Sequence, residues 1–160
     1  MQRYFLELSY DGSNYHGWQI QPNAPTIQEK VNVCLSKILG HAINVVGCGR
    51  TDTGVHANMF YAHFDLPAVI QDFDPGKTCK KLNGMLPPDI AIHNLFPVDA
   101  ETHARFSAVS RTYEYRILRR KDPFHQAYSY AYYYGDLDIN KMNEACKILK
   151  TYTDLTSFSK

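Results

Sequence analysis

INVVGCGRTDTGVHANMFYAHFDL, residues 43–66, sets an apolar run, a glycine-rich polar segment and an alternating run in direct succession. INVV reads as a short buried strand, and NMFYAHFDL, alternating around His63, reads as a second strand. Upstream, RYFLELSY (3–10) alternates in part and predicts a strand, followed by a polar loop, YDGSNYHGWQIQPNAP (10–25). PTIQEKVNVCLSKILG (25–40) is the clearest helix. Thr26 and Glu29 form a capping box, Ile27, Val31, Leu35, Ile38 and Leu39 share one face, and Gly40 is a C-terminal stop. Downstream, DPGKTCKKLNGML (74–86) predicts a short helix with Asp74 as N-cap, Pro75 in its first turn and Gly84 near its end. DIAIHNLFPV (89–98) predicts another strand.

The resulting order is β-α-β-β-α-β, an α+β pattern of the ferredoxin-like or RRM-like kind. It places an antiparallel sheet under two helices packed on one face, over residues 1–100. The open face of such a sheet is a common site for nucleic acid. Beyond a polar bridge, SRTYEYRILRR (110–120) alternates and predicts a long strand. A tyrosine-rich stretch, AYSYAYYYG (127–135), and a helix, DINKMNEACKILKTY (138–152), follow, with Met142, Cys146 and Leu149 on one side. A strand and helix without partner strands leave a sheet edge unsatisfied. Residues 101–160 are therefore expected to be the first part of a second, related α/β domain that is truncated or completed by another chain.

The 160 residues are 44% hydrophobic, enough for one or two small cores. The net charge of +1 names no partner, but its distribution is uneven. Between His103 and Lys121 stand Arg105, Arg111, Arg116, Arg119, Arg120 and Lys121 against one acid, Glu114. Such a stripe suits a polyanion or an ordinary solvated face. Cys34, Cys48, Cys79 and Cys146 lack the spacing of a zinc ribbon or a disulfide framework. No secretory leader opens the chain and no apolar run approaches roughly 18 residues, so no membrane role and a reducing cytoplasm are expected.

The segment GCGRTDTGVHA (47–57) holds the candidate chemistry. Gly47 and Gly49 permit a tight turn or close approach. Arg50 and Asp52, two apart, share a side in an extended segment, and the guanidinium favours the ionised carboxylate. A charged aspartate at a strand mouth suits a nucleophile or a base that needs no metal. The same residues also suit a loop salt bridge with turn glycines. His56, His63 and Asp65 are possible metal ligands, but His63 lies within an alternating strand and reads better as structural. Cys48 could be a nucleophile, but no local signature places a histidine beside it, and it reads better as a small buried thiol. The glycines are not in the register of a phosphate-binding loop. Tyr113, in the basic strand, is either a plate for base stacking or ordinary sheet packing. Tyr15, His16 and Trp18 either contact RNA from a mobile loop or fold back onto the core.

LSYDGSNYHGWQIQ, TIQEKVNVCLSKIL, GRTDTGVHA and ARFSAVSRTYEYRI, in that order, resemble successive motifs of the tRNA pseudouridine synthase A family, and TDLTSFSK resembles a further segment. The likeness spans essentially the whole chain, and G-R-T-D-x-G-V-H-A is highly specific. It implies an isomerase that converts uridine to pseudouridine at positions 38, 39 and 40 of the tRNA anticodon stem-loop, working as a homodimer without metal or cofactor. It implies Asp52 as the catalytic residue. Arg50 would assist nucleotide flipping and pair with that aspartate, and Tyr113 would contact the target base. Arg105 and Arg111 would lie along the RNA path. The family also carries a C-terminal half, with a basic residue reaching the aspartate and an apolar residue near the base, and neither stands within these 160 residues. The rival expectation for this chain is therefore a non-catalytic RNA-binding module, and a hydrolase of a nucleoside bond is a third.

Overall fold

The computed structural model describes residues 1–158, so the last two residues of TDLTSFSK lie outside the described residues. It divides into two compact units, Met1–Arg111 and Thr112–Lys160. In the first, β1 (Gln2–Tyr10), α1 (Ile27–Leu39), β2 (Val46–Gly47), β3 (Ala57–Leu66), α2 (Pro75–Met85) and β4 (Ile90–Val98) follow the expected order. The sheet runs β2-β3-β1-β4 with every neighbouring pair antiparallel, as the split β-α-β pattern requires.

Alternation along the strands decides what is buried. Leu6, Leu8 and Tyr10 of β1 join Phe60, Ala62 and Phe64 of β3 and Ile90, Ile92 and Leu95 of β4 in one core. Ile27, Val31 and Leu35 of α1 and Leu82 of α2 complete it. The helix ends follow the sequence. The Thr26 side chain accepts from the Glu29 N–H, Asp74 accepts from the Lys77 N–H, and Gly40 ends α1 in the left-handed region.

The strand expected over INVV is mostly absent. Only Val46 and Gly47 pair with β3, although Ile43 and Val45 are buried. Polar side chains of α1, spaced four residues apart, replace the ladder. Ser36 accepts from the Ile43 N–H at 2.9 Å, Asn32 accepts from the Val45 N–H at 2.9 Å, and Gln28 donates to the Val45 carbonyl at 2.7 Å. The edge is thus finished by a helix, which meets the backbone's demand for partners without a strand.

On the face away from the core cluster, Phe5 stacks on His63 and lies beside Phe96 and Tyr61. Arg3 forks onto Asp65 at 2.8 and 2.9 Å and donates to the Thr102 carbonyl. The Arg3 bond holds the Asp65 carboxyl below its usual range. Residues 101–111 fall within the first compact unit. His63 is 4% exposed and its Nδ1 accepts from the Ala104 N–H at 3.2 Å.

The second unit contains β5 (Ile117–Leu118), β6 (Tyr130–Ala131) and α3 (Ile139–Leu149, capped by Asp138). β5 and β6 pair in parallel. The long strand expected over 110–120 is therefore two residues long. Its alternation is genuine, but a strand exists only where a neighbour takes its backbone groups, and before the Arg116 carbonyl, which accepts from the Tyr130 N–H at 2.8 Å, no residue from 110 on has a ladder partner among the described residues. No residue of α3 is buried.

Burial, reinforced by Arg3 and His103, lowers the His63 pKa from 6.5 to about 4. The unfolded chain therefore binds the extra proton first, so this contribution to stability is complete above about pH 6.5 and is lost as pH falls toward 4. Unfolding free energies from urea titrations at pH 7 and pH 5 should differ by about 1–2 kcal/mol more in the parent than in His63→Gln, which keeps an acceptor but no titrating ring.

Candidate active site

The segment 47–57 leaves β2 at the sheet edge and re-enters the sheet as β3, and every fixed point along it is supplied by another element. Trp18, 2% exposed, packs on Phe60 with ring centres 4.3 Å apart. Its indole covers Gly47, where a Cβ would stand 2.5 Å from the indole nitrogen. Cys48 adds one more bond to the ladder, its N–H donating to the Tyr61 carbonyl at 2.7 Å. Its own carbonyl accepts from the Arg111 Nε and Nη2 at 3.0 and 2.7 Å, and Nη2 also donates to the Arg105 carbonyl at 2.7 Å.

Thr51 is pinned from two sides. Its carbonyl accepts from the Trp18 N–H at 3.2 Å, and its hydroxyl lies 3.0 Å from the Tyr10 hydroxyl. The backbone of the 10–25 loop comes so close here that a Cβ on Gly17 would overlap the Thr51 carbonyl oxygen, and Gly17 has φ of 81°. Past Asp52 the chain turns, with the Val55 N–H donating to the Asp52 carbonyl at 3.2 Å. The Gly54 N–H donates to the Tyr15 carbonyl at 3.2 Å. His56 Nδ1 sits 3.1 Å from the Gly12 nitrogen and 3.0 Å from Asp11 Oδ1. The first contact needs a lone pair on that nitrogen and the second a hydrogen, so one ring nitrogen serves one of the two at a time.

Tyr15 ties this bracket to the frame. It is 5% exposed and its hydroxyl donates to Asp89 at 2.7 Å, immediately before β4. Burial and the Asp89 carboxylate together raise the phenol well above its ordinary range. Tyr15 and Trp18 therefore fold into the core, while His16 is exposed.

With Thr51 turned inward, Arg50 and Asp52 both face solvent. The ion pair expected between them is not formed among the described residues. An exposed pair gains at most about 1 kcal/mol against the entropy of two side chains, and no neighbour holds these two together. What the turn presents is an open carboxylate on a backbone fixed before and after it. Arg105 is exposed, with its guanidinium carbon 5.7 Å from the Phe106 ring centre. Tyr113 belongs to the second unit and is 77% exposed. His56 and His63, possible metal ligands by sequence, are used in hydrogen bonds. No grouping of three or more metal-ligating side chains occurs among the described residues. The supports at Tyr10, Asp89 and Gly12 were not legible as site residues, and Tyr15 was legible only as a possible RNA contact, since their contacts join segments 41 to 74 residues apart. The glycines at 12, 17 and 47 were the available signal of close approach.

The family profile described as tRNA pseudouridine synthase matches residues 8–107. The chain is 49% identical over 160 residues to the tRNA pseudouridine synthase A of Bacteroides thetaiotaomicron, covering 100% of this chain and 58% of that protein. It is 48% identical to that of Parabacteroides distasonis, covering 100% and 62%, and 41% identical over 156 residues to that of Chlamydia trachomatis, covering 96% and 58%. The chain belongs to the tRNA pseudouridine synthase family. It spans about three-fifths of the length of these relatives.

The close approach at Gly17 gives a stability test. Gly17→Ala should cost about 2 kcal/mol or more, from the overlap and the left-handed backbone together. Gly84→Ala, within α2 and with open space around it, should be neutral or stabilising by up to about 1 kcal/mol. Chemical denaturation of both variants makes the comparison.

Proposed function

We propose that this protein isomerises uridine to pseudouridine at positions 38, 39 and 40 of the tRNA anticodon stem-loop, with Asp52 as the catalytic carboxylate. The observation that carries the reading is an exposed carboxylate on a turn held at Cys48, Thr51, Gly54 and His56, in a chain of this family. The relatives' name supplies the tRNA uridine.

The reaction breaks the C1′–N1 bond, turns the uracil and joins C1′ to C5. The C5 proton leaves and N1 takes one up, so no oxidant or reductant is needed. The nucleotide must first leave its stack, at a cost of a few kcal/mol. Arg50, exposed two residues from Asp52, fills the vacated place and holds a phosphate. Tyr113 stacks on the extruded base, a contact worth roughly 1–3 kcal/mol. Asp52 then attacks C1′ to give an ester, as in retaining glycosidases, or takes the C2′ proton to give a glycal. Both routes use the anion. Residues 112–160 are proposed as the opening of the second α/β half, which brings a basic residue to Asp52, and the whole protein is proposed to act as a cytoplasmic homodimer. Arg105 is proposed to lie on the RNA path.

Asp52→Asn in the full-length protein should reduce pseudouridine formation in an anticodon-arm transcript by about 10³-fold or more. Because the side chain is exposed, tRNA affinity should stay within about twofold. Normal product from this variant excludes Asp52 as catalyst. Binding without product in the parent protein points to a non-catalytic RNA-binding module, and released uracil to a hydrolase. Tyr113→Phe should keep most of the rate, whereas Tyr113→Leu should lose about tenfold or more, because only the former keeps a stacking surface. Equal losses would assign the role to the hydroxyl.

A further inference from the structure

Arg111 stands in the basic stripe, where charge alone makes it a phosphate ligand. Its geometry serves a different purpose. Both Nε and Nη2 are directed at one acceptor, the Cys48 carbonyl, and Nη2 also reaches the Arg105 carbonyl. The side chain lies along the backbone at the next residue, with Nε 3.6 Å and Cδ 3.9 Å from where a Cβ of Gly49 would stand.

The acceptor's place in the fold gives this clamp its meaning. β2 is an edge strand, and Cys48 is the last residue bonded to β3, through its N–H. Its carbonyl has no strand beyond it to receive. The next fixed point is Thr51, so Gly49 and Arg50 alone separate the end of the sheet from the residue before Asp52. A reacting carboxylate must be held to about 0.5 Å by supports that are themselves fixed. Tyr10 and Trp18 hold Thr51 just before Asp52 and Tyr15 holds Gly54 after it, while Arg111 holds the entry at Cys48, where the chain leaves the sheet. Charge-assisted bonds are shorter and stronger than neutral ones. The planar guanidinium also spans two carbonyls in a way that a single ammonium does not.

We propose that Arg111 is a positioning residue for the Asp52 turn, acting through the Cys48 and Arg105 carbonyls, and not a contact to the RNA backbone. The proposal rests on the reading of Asp52 as catalyst. Arg111→Lys in the full-length protein separates the two roles, since it keeps the charge and loses the fork. The single-turnover rate at saturating anticodon-arm RNA should fall by about tenfold or more, while Kd and its salt dependence stay within about twofold of the parent. Hydrogen–deuterium exchange in the peptide spanning 48–55 should quicken, because the Cys48, Gly54 and Val55 amides are bonded within this bracket. An unchanged saturating rate, with weaker binding and a salt slope shallower by about one, would make Arg111 a phosphate contact and overturn the proposal. Unaltered exchange over 48–55 would overturn it as well, whatever the rate does. A parent protein that makes no pseudouridine would instead refute the proposed activity, leaving the exchange measurement to judge the clamp.

Discussion

The candidate site depends on the contact between two loop backbones. The segment from Gly12 to Trp18 lies against the segment from Thr51 to His56, joined by the Trp18–Thr51 and Tyr15–Gly54 main-chain bonds and by Gly12 with His56. Neither segment has regular structure to keep it in place, so each is the other's support. Such a contact forms only if nothing projects between the two chains, which is why a glycine stands at position 17. Three backbone amides at the contact, those of Gly12, Trp18 and Gly54, find their acceptors across it, and the turn is held on both sides of Asp52.

That bracket is only as firm as its footing. Tyr15 and Trp18 belong to the hydrophobic core, where Trp18 packs with Tyr10 and Phe60. The side chains that bury the loop and the backbone that fixes the Asp52 turn thus belong to the same few residues. Displacing the turn means opening the core, at a free-energy cost far above that of moving a free loop. This is how a solvent-facing carboxylate, in a segment with few contacts of its own, acquires the fixed position that catalysis requires. Burial keeps His63 neutral on the opposite side of the sheet. Its ring then accepts from Ala104 and fastens the 101–111 segment that carries Arg111.

Periodicity and capping made the first unit's helices and longer strands legible, because those signals are local. Thr26 with Glu29, Asp74 with Pro75, and the alternation around His63 each report on neighbours a few residues away. Two readings failed where the outcome depends on a distant partner. INVV is as apolar as a buried strand and is buried, yet α1 takes its backbone groups through Gln28, Asn32 and Ser36. The stretch 110–120 alternates as a strand does, yet among the described residues only Ile117 and Leu118 pair as strand residues. The Arg50–Asp52 pair failed for a further reason. Spacing settles which side two residues share, but attraction in water is too weak to join them unless something else confines both.

From the order of residues alone came the α+β arrangement, the helix limits, the family and the aspartate of the candidate site, since each is written in short patterns or a contiguous motif. What only the folded chain decided was the support of that aspartate. Tyr10, Tyr15, Asp89 and Arg111 carry no mark in the sequence of what they hold. Their partners lie 41 to 74 residues away, and a hydrogen bond over such a span exists only once the sheet has brought its two ends together.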